Sequence, residues 1–347
     1  MKQIDYIIVG LGLAGLAFAE QLQAHNKSFV VFEDDSQTSS LVAGGVYNPV
    51  ILKRFTPAWN GHQQLQLAMP FYAALEDKLA VTFDTKFSTR KIFTSVKDQN
   101  NWFAALDKPF LGNYMLPNIS TSSIDGVIGE LGFGELQGTG RIDTLSLLDS
   151  YKSYLRKEGL LIENGFDYDA LSISDVGLHY LSYSANYIVF SEGYGLKRNP
   201  FFNNLPLTGT KGEIINIHAP DLAIDFLLKS SVFVMPLGNH YYKVGATFNW
   251  TDKTSTPTVE GLEELTSKLD KVIAVPYTIV NHYGGIRPTV KDRRPLVGLH
   301  PKYPNMAVLN GLGTRGVMIA PTVAQQLFQH IENKVALDPE IDIARFL

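Results

Sequence analysis

The feature that most constrains the fold is a glycine-rich turn between two apolar runs near the start of the chain. The apolar residues 6–9 lead into Gly-Leu-Gly-Leu-Ala-Gly at 10–15, and a second apolar run at 30–32 is followed by Glu33. This pattern predicts a strand, a tight turn, a helix and a second strand that ends at an acidic residue. Backbone N–H groups and the helix dipole at such a turn converge on phosphate oxygens.

Several residues of this unit predict a role in dinucleotide binding. Gly10 permits the tight turn, Gly12 lets the backbone approach a pyrophosphate, and Gly15 lets the helix pack closely on the sheet. Glu33 would accept hydrogen bonds from an adenosine ribose. The alternative is a structural glycine turn in an ordinary strand-to-helix unit. On the first interpretation, the cofactor contacts here are Gly10, Gly12, Leu13, Ala14, Gly15, Glu33 and Asp34.

Composition excludes several classes of redox and metal site. The 347 residues include no cysteine, so the chain has no disulfide, thiolate zinc site, iron–sulfur cluster or cysteine nucleophile, and no flavin attached through a cysteine sulfur. The histidines lack metal-ligand spacing, so we assign no metal. Any redox chemistry must therefore belong to a bound cofactor.

Charge and hydropathy bound the partners and the location. The net charge of −4 gives no global basic field, so we expect no nucleic-acid partner. No charge-free apolar segment approaches the roughly 20 residues that a membrane span needs. We therefore expect a cytoplasmic protein without a membrane span. The sequence leaves the oligomeric state open.

Pattern changes along the chain indicate two kinds of structure. Apolar residues at helical spacing predict a helix over 65–79, and Asp143 predicts the N-cap of another helix. From Gly212 onward, short alternating segments predict an antiparallel sheet, with a hairpin turn at 237–240.

A second group of glycines lies far along the chain, at 311–316. It directly precedes a helix predicted over 317–332. Glycines allow a close approach of backbone to a ligand, and a helix N-terminus attracts negative charge. The pattern suggests a second segment that contacts a ligand.

Eight segments together resemble the FAD-dependent D-amino-acid oxidase family, and within it the glycine oxidase branch. The resemblance covers nearly the whole chain in order, and 285–298 is its most specific part. The resembling segments are 10–15, 44–49, 138–143, 193–195, 211–213, 244–247, 285–288 and 311–316.

The resemblance implies an α/β fold of the D-amino-acid oxidase and glycine oxidase type, with non-covalently bound FAD. A Rossmann-like FAD-binding domain would comprise residues 1–82, 142–209 and 288–347. A substrate-binding domain, built on an antiparallel sheet that roofs the flavin ring, would comprise 83–141 and 210–287. The change from Rossmann-like pattern at both ends of the chain to sheet pattern between them supports this division independently.

The resemblance also implies site residues. The helix after Gly316 would direct its N-terminus at the pyrimidine edge of the flavin, where negative charge develops on reduction. Arg287 matches the arginine that grips the substrate carboxylate, and the alternative is an arginine that pairs with an acid at the domain seam. Arg315 is either a second anion contact, to cofactor or substrate, or a surface residue. The further implied cofactor contacts are Gly44, Gly45, Gly193, Gly311, Gly313, Thr314, Arg315, Gly316 and Val317.

Two positions limit what the resemblance implies about catalysis and substrate. Lys243 corresponds to a lysine that helps dioxygen react in sarcosine oxidases, although a solvent-facing lysine on an alternating strand is the preferred alternative. Phe233 stands where glycine oxidases carry polar and tyrosine side chains, and it cannot hydrogen-bond a substrate. We therefore expect a more apolar pocket, or polar contacts from Tyr47, Tyr241 or His282, for which ordinary core packing is the alternative.

The implied reaction is the removal of a hydride equivalent from the carbon beside the nitrogen of a small amine or amino acid, with transfer to flavin. The imine is hydrolysed, and dioxygen or another acceptor regenerates the cofactor. Two alternatives stay open. One is an FAD-dependent enzyme that acts on a modified tRNA base or a hydroxy acid. The other is a nicotinamide-dependent or non-catalytic nucleotide-binding protein.

Overall fold

The computed structural model describes residues 1–174 and 177–346. Within these ranges the structure has two eight-stranded sheets, a three-stranded sheet, a two-stranded sheet and seven α-helices. None of the helices in the described ranges combines the length and the apolar character that crossing a membrane requires.

The helices and strands have the following bounds. The α-helices are α1 Leu13–Ala24, α2 Ser39–Val42, α3 Gly61–Leu79, α4 Val96–Ala105, α5 Thr144–Lys157, α6 Val259–Leu269 and α7 Gly316–Asn333. The strands are β1 Lys2–Val9, β2 Phe29–Phe32, β3 Val46–Tyr47, β4 Val50–Ile51, β5 Thr56–Pro57, β6 Asp84–Lys86, β7 Thr89–Ile92, β8 Met115–Ser120, β9 Phe133–Leu136, β10 Gly140–Ile142, β11 Leu161–Ile162, β12 Leu171–Ser174, β13 Gly177–Tyr180, β14 Tyr183–Phe190, β15 Thr210–His218, β16 Leu227–Lys229, β17 Phe233–Gly238, β18 Tyr241–Gly245, β19 Thr278–Arg287, β20 Leu296–Leu299 and β21 Met306–Asn310.

The first sheet is built around β1. Its strands run in the order β11-β2-β1-β14, and β14 then pairs with both β13 and β21. The strands β11, β2, β1, β14 and β21 are mutually parallel. Tyr6 and Ile8 belong to the core on the helix side of β1, whereas Ile7 and Val9 belong to the core on the other face. Because both faces are covered, the strand reads as a continuous apolar run, as buried parallel strands do.

The second sheet has the order β19-β15-β18-β17-β16-β7-β9-β8. All neighbouring strands are antiparallel except β16 and β7. Ile215, Leu228 and Val234 on one face pack with Leu265 of α6 in a separate core. Side chains alternate along a strand, so residues 214, 227, 229 and 233 face the opposite side, away from α6.

Most of the predicted elements are confirmed. α3 and α7 contain the predicted helices, the turn at 237–240 joins β17 to β18, and the Asp143 side chain accepts a hydrogen bond from the N–H of Ser146 at 3.4 Å as the N-cap of α5. The sequence analysis missed α4. Only Trp102 and Ala105 of this helix are buried, so its apolar periodicity is weak.

Candidate active site

One large cavity, with a volume of about 730 Å³, lies between the two sheets. The carboxyl ends of four parallel strands of the first sheet open into it, which is where ligands bind in open α/β sheets. We call the part lined by residues 9–14, 32–37 and 191–198 the turn end. We call the part lined by β7, β15, β16, β17 and β19 of the second sheet the sheet end.

The predicted glycine turn forms one wall of the turn end. Gly10 has a φ of +95°, and an added side-chain carbon would lie 2.6 Å from the carbonyl oxygen of Ser191. At Gly15 the same carbon would lie 2.0 Å from the carbonyl oxygen of Gly10, so α1 can approach the turn only with glycine there. Gly12 lines the cavity at the N-terminus of α1, which has no side-chain cap. Gly15 does not line the cavity, and its role is packing.

Glu33 lies at the end of β2, beside the glycine turn. Its carboxylate accepts hydrogen bonds from the N–H groups of Leu11 and Asp35. Burial raises the pKa of the Glu33 carboxyl, and these two hydrogen bonds oppose that effect. Glu33 and the neighbouring Asp34 both line the cavity. They provide acceptor oxygens where a ribose would be bound.

The structure also brings distant segments to the same cavity. Gly45 has a φ of +67°, and a side-chain carbon there would lie 1.9 Å from the carbonyl oxygen of Ile142. Gly311 lies behind the cavity wall, with an added carbon 2.6 Å from Val290, so the structure does not bring it to the site. The predicted cofactor residues that do line the cavity are Gly10, Gly12, Leu13, Ala14, Glu33, Asp34, Gly44, Gly45, Gly193, Gly313, Thr314, Arg315, Gly316 and Val317.

Arg287 lies at the sheet end, at the last position of β19. Its Nη1 donates to the carbonyl oxygens of Thr247 at 3.3 Å and Lys211 at 3.5 Å, and its guanidinium stacks over Phe248 at 4.5 Å. No carboxylate of the described residues pairs with it. Burial lowers the pKa of Arg287 to about 10, so it stays charged at neutral pH.

Gly212 provides the space for the Arg287 guanidinium. A side-chain carbon at Gly212 would lie 1.9 Å from Nη2 of Arg287. Only glycine at this position of β15 lets the arginine lie flat over the sheet and face the cavity. Gly212 itself lines the cavity.

Arg315 is a second cation at the cavity, directly before α7. Its side chain is partly buried and makes no hydrogen bond or ion pair within the described ranges. Burial lowers the pKa of Arg315, and the charge of Arg293 adds to this effect. This placement matches an anion contact better than a surface residue.

Phe233 and Lys243 lie on neighbouring strands of the second sheet. Phe233 lines the cavity and its ring contacts the positions of Gly44 and Gly245, so it forms an apolar wall. Lys243 does not line the cavity. Its ammonium donates to the carbonyl oxygen of Ala43 at 3.4 Å, and burial lowers its pKa. Lys243 is therefore half-buried on the cavity side of the sheet, and its predicted role in the reaction with dioxygen stays a prediction.

The structure does not bring the other predicted polar contacts to the cavity. Tyr47 is 2% exposed and donates to Asp84 at 2.8 Å, so it serves packing. Tyr241 is 41% exposed and packs on His218 beside the hairpin turn. His282 pairs with Glu213 on the α6 side of the sheet. These placements correct the expectation that Tyr47, Tyr241 or His282 supplies a substrate contact.

Comparison with known proteins identifies the family. The profile of the family described as "DAO: FAD dependent oxidoreductase" matches residues 5–329. The chain belongs to this family. As a member of the DAO family it is an FAD-dependent oxidoreductase, and the nicotinamide-dependent and non-catalytic alternatives are wrong.

Individual relatives agree with this assignment. Glycine oxidase of Pseudomonas putida is 24% identical over 354 residues, with 93% of each chain covered. Glycine oxidase of Bacillus subtilis is 27% identical over 157 residues, and that match covers 43% of this chain and 42% of the relative. The crystal structure of glycine oxidase from Geobacillus kaustophilus has a TM-score of 0.81 at 17% identity, and covers 100% of this chain and 98% of that chain. The α/β fold is therefore that of the DAO family.

The residues of this DAO family member fit FAD at two places in the cavity, the turn end and the start of α7. The uncapped N-terminus of α1 and the glycine turn can receive the pyrophosphate. α7 begins at the cavity with Gly316, so its positive dipole end would stabilise the negative charge of a reduced flavin bound there. Gly313, with a φ of +60° and no neighbour within 4 Å of an added carbon, leaves space beside it.

The sequence analysis missed Thr89, Lys229, Ser231 and Phe248, which also line the cavity. Burial lowers the pKa of Lys229 to about 8. β16 has only three residues, so it carries too little alternation to show which side chains face inward. The described residues contain no group of three or more histidine, aspartate or glutamate side chains that could hold a metal ion.

Proposed function

We propose that this enzyme oxidises the carbon–nitrogen bond of a small amino acid. The observation that carries the proposal is Arg287, a partly buried cation without an acidic partner in the described chain, at the sheet end of the FAD cavity. Burial of this charge costs free energy unless a ligand of opposite charge pairs with it.

Arg287 can orient a carboxylate with two hydrogen bonds. The carbonyl oxygens of Lys211 and Thr247 hold Nη1 from behind, and Phe248 supports the plane of the guanidinium. Its remaining N–H groups are free to form the bidentate pair that arginine makes with carboxylates. A fixed carboxylate places the adjacent carbon in one orientation, which is how positioning lowers a barrier.

The charges of the sheet end also favour the reactive form of the amine. Arg287 and Lys229 are the charged residues that the second sheet contributes to the cavity lining, and both are positive. Nearby positive charge disfavours an ammonium and lowers the pKa of a bound amine. The neutral amine keeps a nitrogen lone pair that helps a hydride equivalent leave the carbon.

Other residues hold the cofactor and exclude water. Bound FAD supplies the two-electron acceptor for this chemistry. Ile214, Leu227 and Phe233 give the sheet end apolar walls that restrict water around the reacting carbon. The residues in contact with FAD would be those of the turn end together with Gly44, Gly45 and 313–317, without a covalent bond.

We extend the proposal to the domain division and to the location. The strands of the first sheet fall in 1–82, 142–209 and 288–347, and those of the second sheet fall in 83–141 and 210–287. This supports an FAD-binding and a substrate-binding domain with those bounds. Known glycine oxidases in the family support a small amino acid as substrate. A cytoplasmic location is part of the same proposal.

An anaerobic reduction screen of the purified yellow protein tests the proposal. We expect at least one amino acid among glycine, sarcosine, proline, acidic amino acids and D-amino acids to bleach the flavin and yield an oxo acid with ammonia or an amine. Bleaching only by hydroxy acids, or by none of the compounds, would contradict it. An affinity for tRNA that falls steeply with salt would instead favour the modified-base alternative, because phosphate contacts release counterions.

A further inference from the structure

A second cation, Lys229, lies at the sheet end apart from Arg287. It occupies the last position of β16, and both Leu227 and Lys229 line the cavity while Leu228 between them packs in the core beside α6. The alternation of the strand therefore directs the Lys229 side chain to the cavity face. No resemblance or comparison assigned this residue a role.

The Lys229 ammonium has no hydrogen-bond or ion-pair partner in the part of the chain that the structure describes. Lys91 of β7 lies directly opposite Lys229 in the strand register. The Lys91 ammonium donates to the carbonyl oxygen of Ile92 at 2.7 Å, and Lys91 does not line the cavity. Burial and the like charges of Lys91 and Lys268 lower the pKa of Lys229 to about 8. A lysine whose charged form is disfavoured by burial and that faces a cavity has the properties of an anion-binding residue.

The register of the sheet shows how far the two cations are separated. Ile214 of β15 pairs with Gly245, Gly245 with Phe233, and Phe233 with Lys229. Three steps between strands of about 4.8 Å place the backbones of β15 and β16 roughly 14 Å apart. The Arg287 guanidinium lies over Gly212 of β15, so the two charges lie on opposite sides of the Phe233 wall.

The acids that line the cavity lie elsewhere. Glu33, Asp34, Asp35 and Glu192 are at the turn end, where Glu192 is already bound by Tyr168 and Asn199. The sheet end thus presents two positive charges with apolar residues between them. A single carboxylate on Arg287 would leave the charge of Lys229 unmatched.

We propose that Lys229 is a second anion-binding residue, and that the substrate is an amino acid with a second acid group at its far end. The inference rests on the proposed function and specifies its substrate class. One carboxylate would pair with Arg287, the other with Lys229, and the carbon to be oxidised would lie between them. Glycine and plain alkyl amino acids would fill only the Arg287 position.

Calorimetric titration of the FAD-loaded enzyme with succinate and with butyrate tests the proposal without turnover. We expect the wild type to bind the diacid at least about tenfold more tightly, because a hydrogen bond to a charged group contributes more than a neutral one. Lys229→Gln should reduce the ratio to about one, and Lys229→Arg should keep the preference. Lys91→Gln is the matched control, since this lysine lies beside Lys229 but outside the cavity, and it should keep the wild-type ratio.

Equal affinities of the wild type for the two acids, or an unchanged ratio in Lys229→Gln, would overturn the inference. Flavin retention and the melting temperature show whether each variant is folded. If Lys229→Gln does not fold, the comparison of Lys229→Arg with the wild type still tests the inference. Failure of the proposed function looks different. In that case the diacid preference would remain, while no amino acid would bleach the flavin.

Discussion

The two ends of the cavity are formed by different chemical groups. At the turn end, backbone N–H groups, glycines without side chains and the acid Glu33 form the site, and its key residues lie within 24 positions of one another from Gly10 to Glu33. At the sheet end, the side chains of Arg287 and Lys229 come from strands far apart in sequence and separated across the sheet.

This difference reflects what each end must bind. A pyrophosphate is recognised by backbone geometry, which few substitutions can replace, so the turn end is set by local steric requirements. A substrate is recognised by the charge and shape of individual side chains, which can change without disturbing the sheet. On the proposed function, the turn end would therefore bind the cofactor, and the sheet end would select the substrate.

The largest expected effect lies at the turn end. Gly15→Val should remove FAD from the purified protein, because even the first side-chain carbon would lie 2.0 Å from the carbonyl oxygen of Gly10 and would push α1 off β1. The flavin absorbance of the purified variant measures this. Gly112→Ala is the control, since its added carbon has one neighbour within 4 Å, at 3.3 Å. Full FAD content in Gly15→Val would show that the close packing of α1 is not required.

A smaller effect is expected from Arg287→Ala at the sheet end. We expect FAD to be retained and the affinity for acetate to fall roughly hundredfold, about 3 kcal/mol, because charged hydrogen bonds to the carboxylate are lost. Titration of the flavin spectrum with acetate measures the change. Arg90→Ala is the control, since Arg90 stacks over Phe226 at 4.0 Å and already pairs with Glu135 at 3.2 Å. An equal loss of acetate affinity in Arg287→Ala and Arg90→Ala would show that Arg287 does not bind the carboxylate.

The sequence predicted the turn end more completely than the sheet end. Gly10, Gly12 and Glu33 could be assigned because their roles depend on neighbours close in the chain. Lys229 could not, because its exposure to the cavity depends on the pairing of β16 with β17 and β7. Tyr241 was misplaced for a related reason, since its position beside the hairpin turn directs it to His218 and to solvent.

The smallest expected effect is a gain in stability. Burial, with the charges of Lys91 and Lys268, lowers the pKa of Lys229 from 10.5 to about 8, so below pH 8 the folded protein carries the full cost of the charged ammonium. That cost is relieved as the pH rises from about 8 to 10.5, because the folded state then loses the proton before the unfolded state does.

Lys229→Met should therefore raise the melting temperature at pH 7 by about 1–2 °C, which corresponds to about 1 kcal/mol. The difference from the wild type should shrink toward pH 10.5 in thermal melts. Lys271→Met, which changes an exposed lysine that does not contribute to the lowered pKa of Lys229, should show no such trend. A lower melting temperature in Lys229→Met at pH 7 would indicate that Lys229 stabilises the fold and is not held there to bind a ligand.

The most direct test of the account compares an amino acid with the amine that lacks its carboxyl group. The wild-type holoenzyme is mixed anaerobically with the amino acid that reduces it fastest and, separately, with the corresponding decarboxylated amine. We predict that kcat/KM for flavin reduction is at least about a hundredfold higher for the acid, because only the acid is held by Arg287. Equal values for the two compounds would contradict the claim that the cations of the sheet end select the substrate.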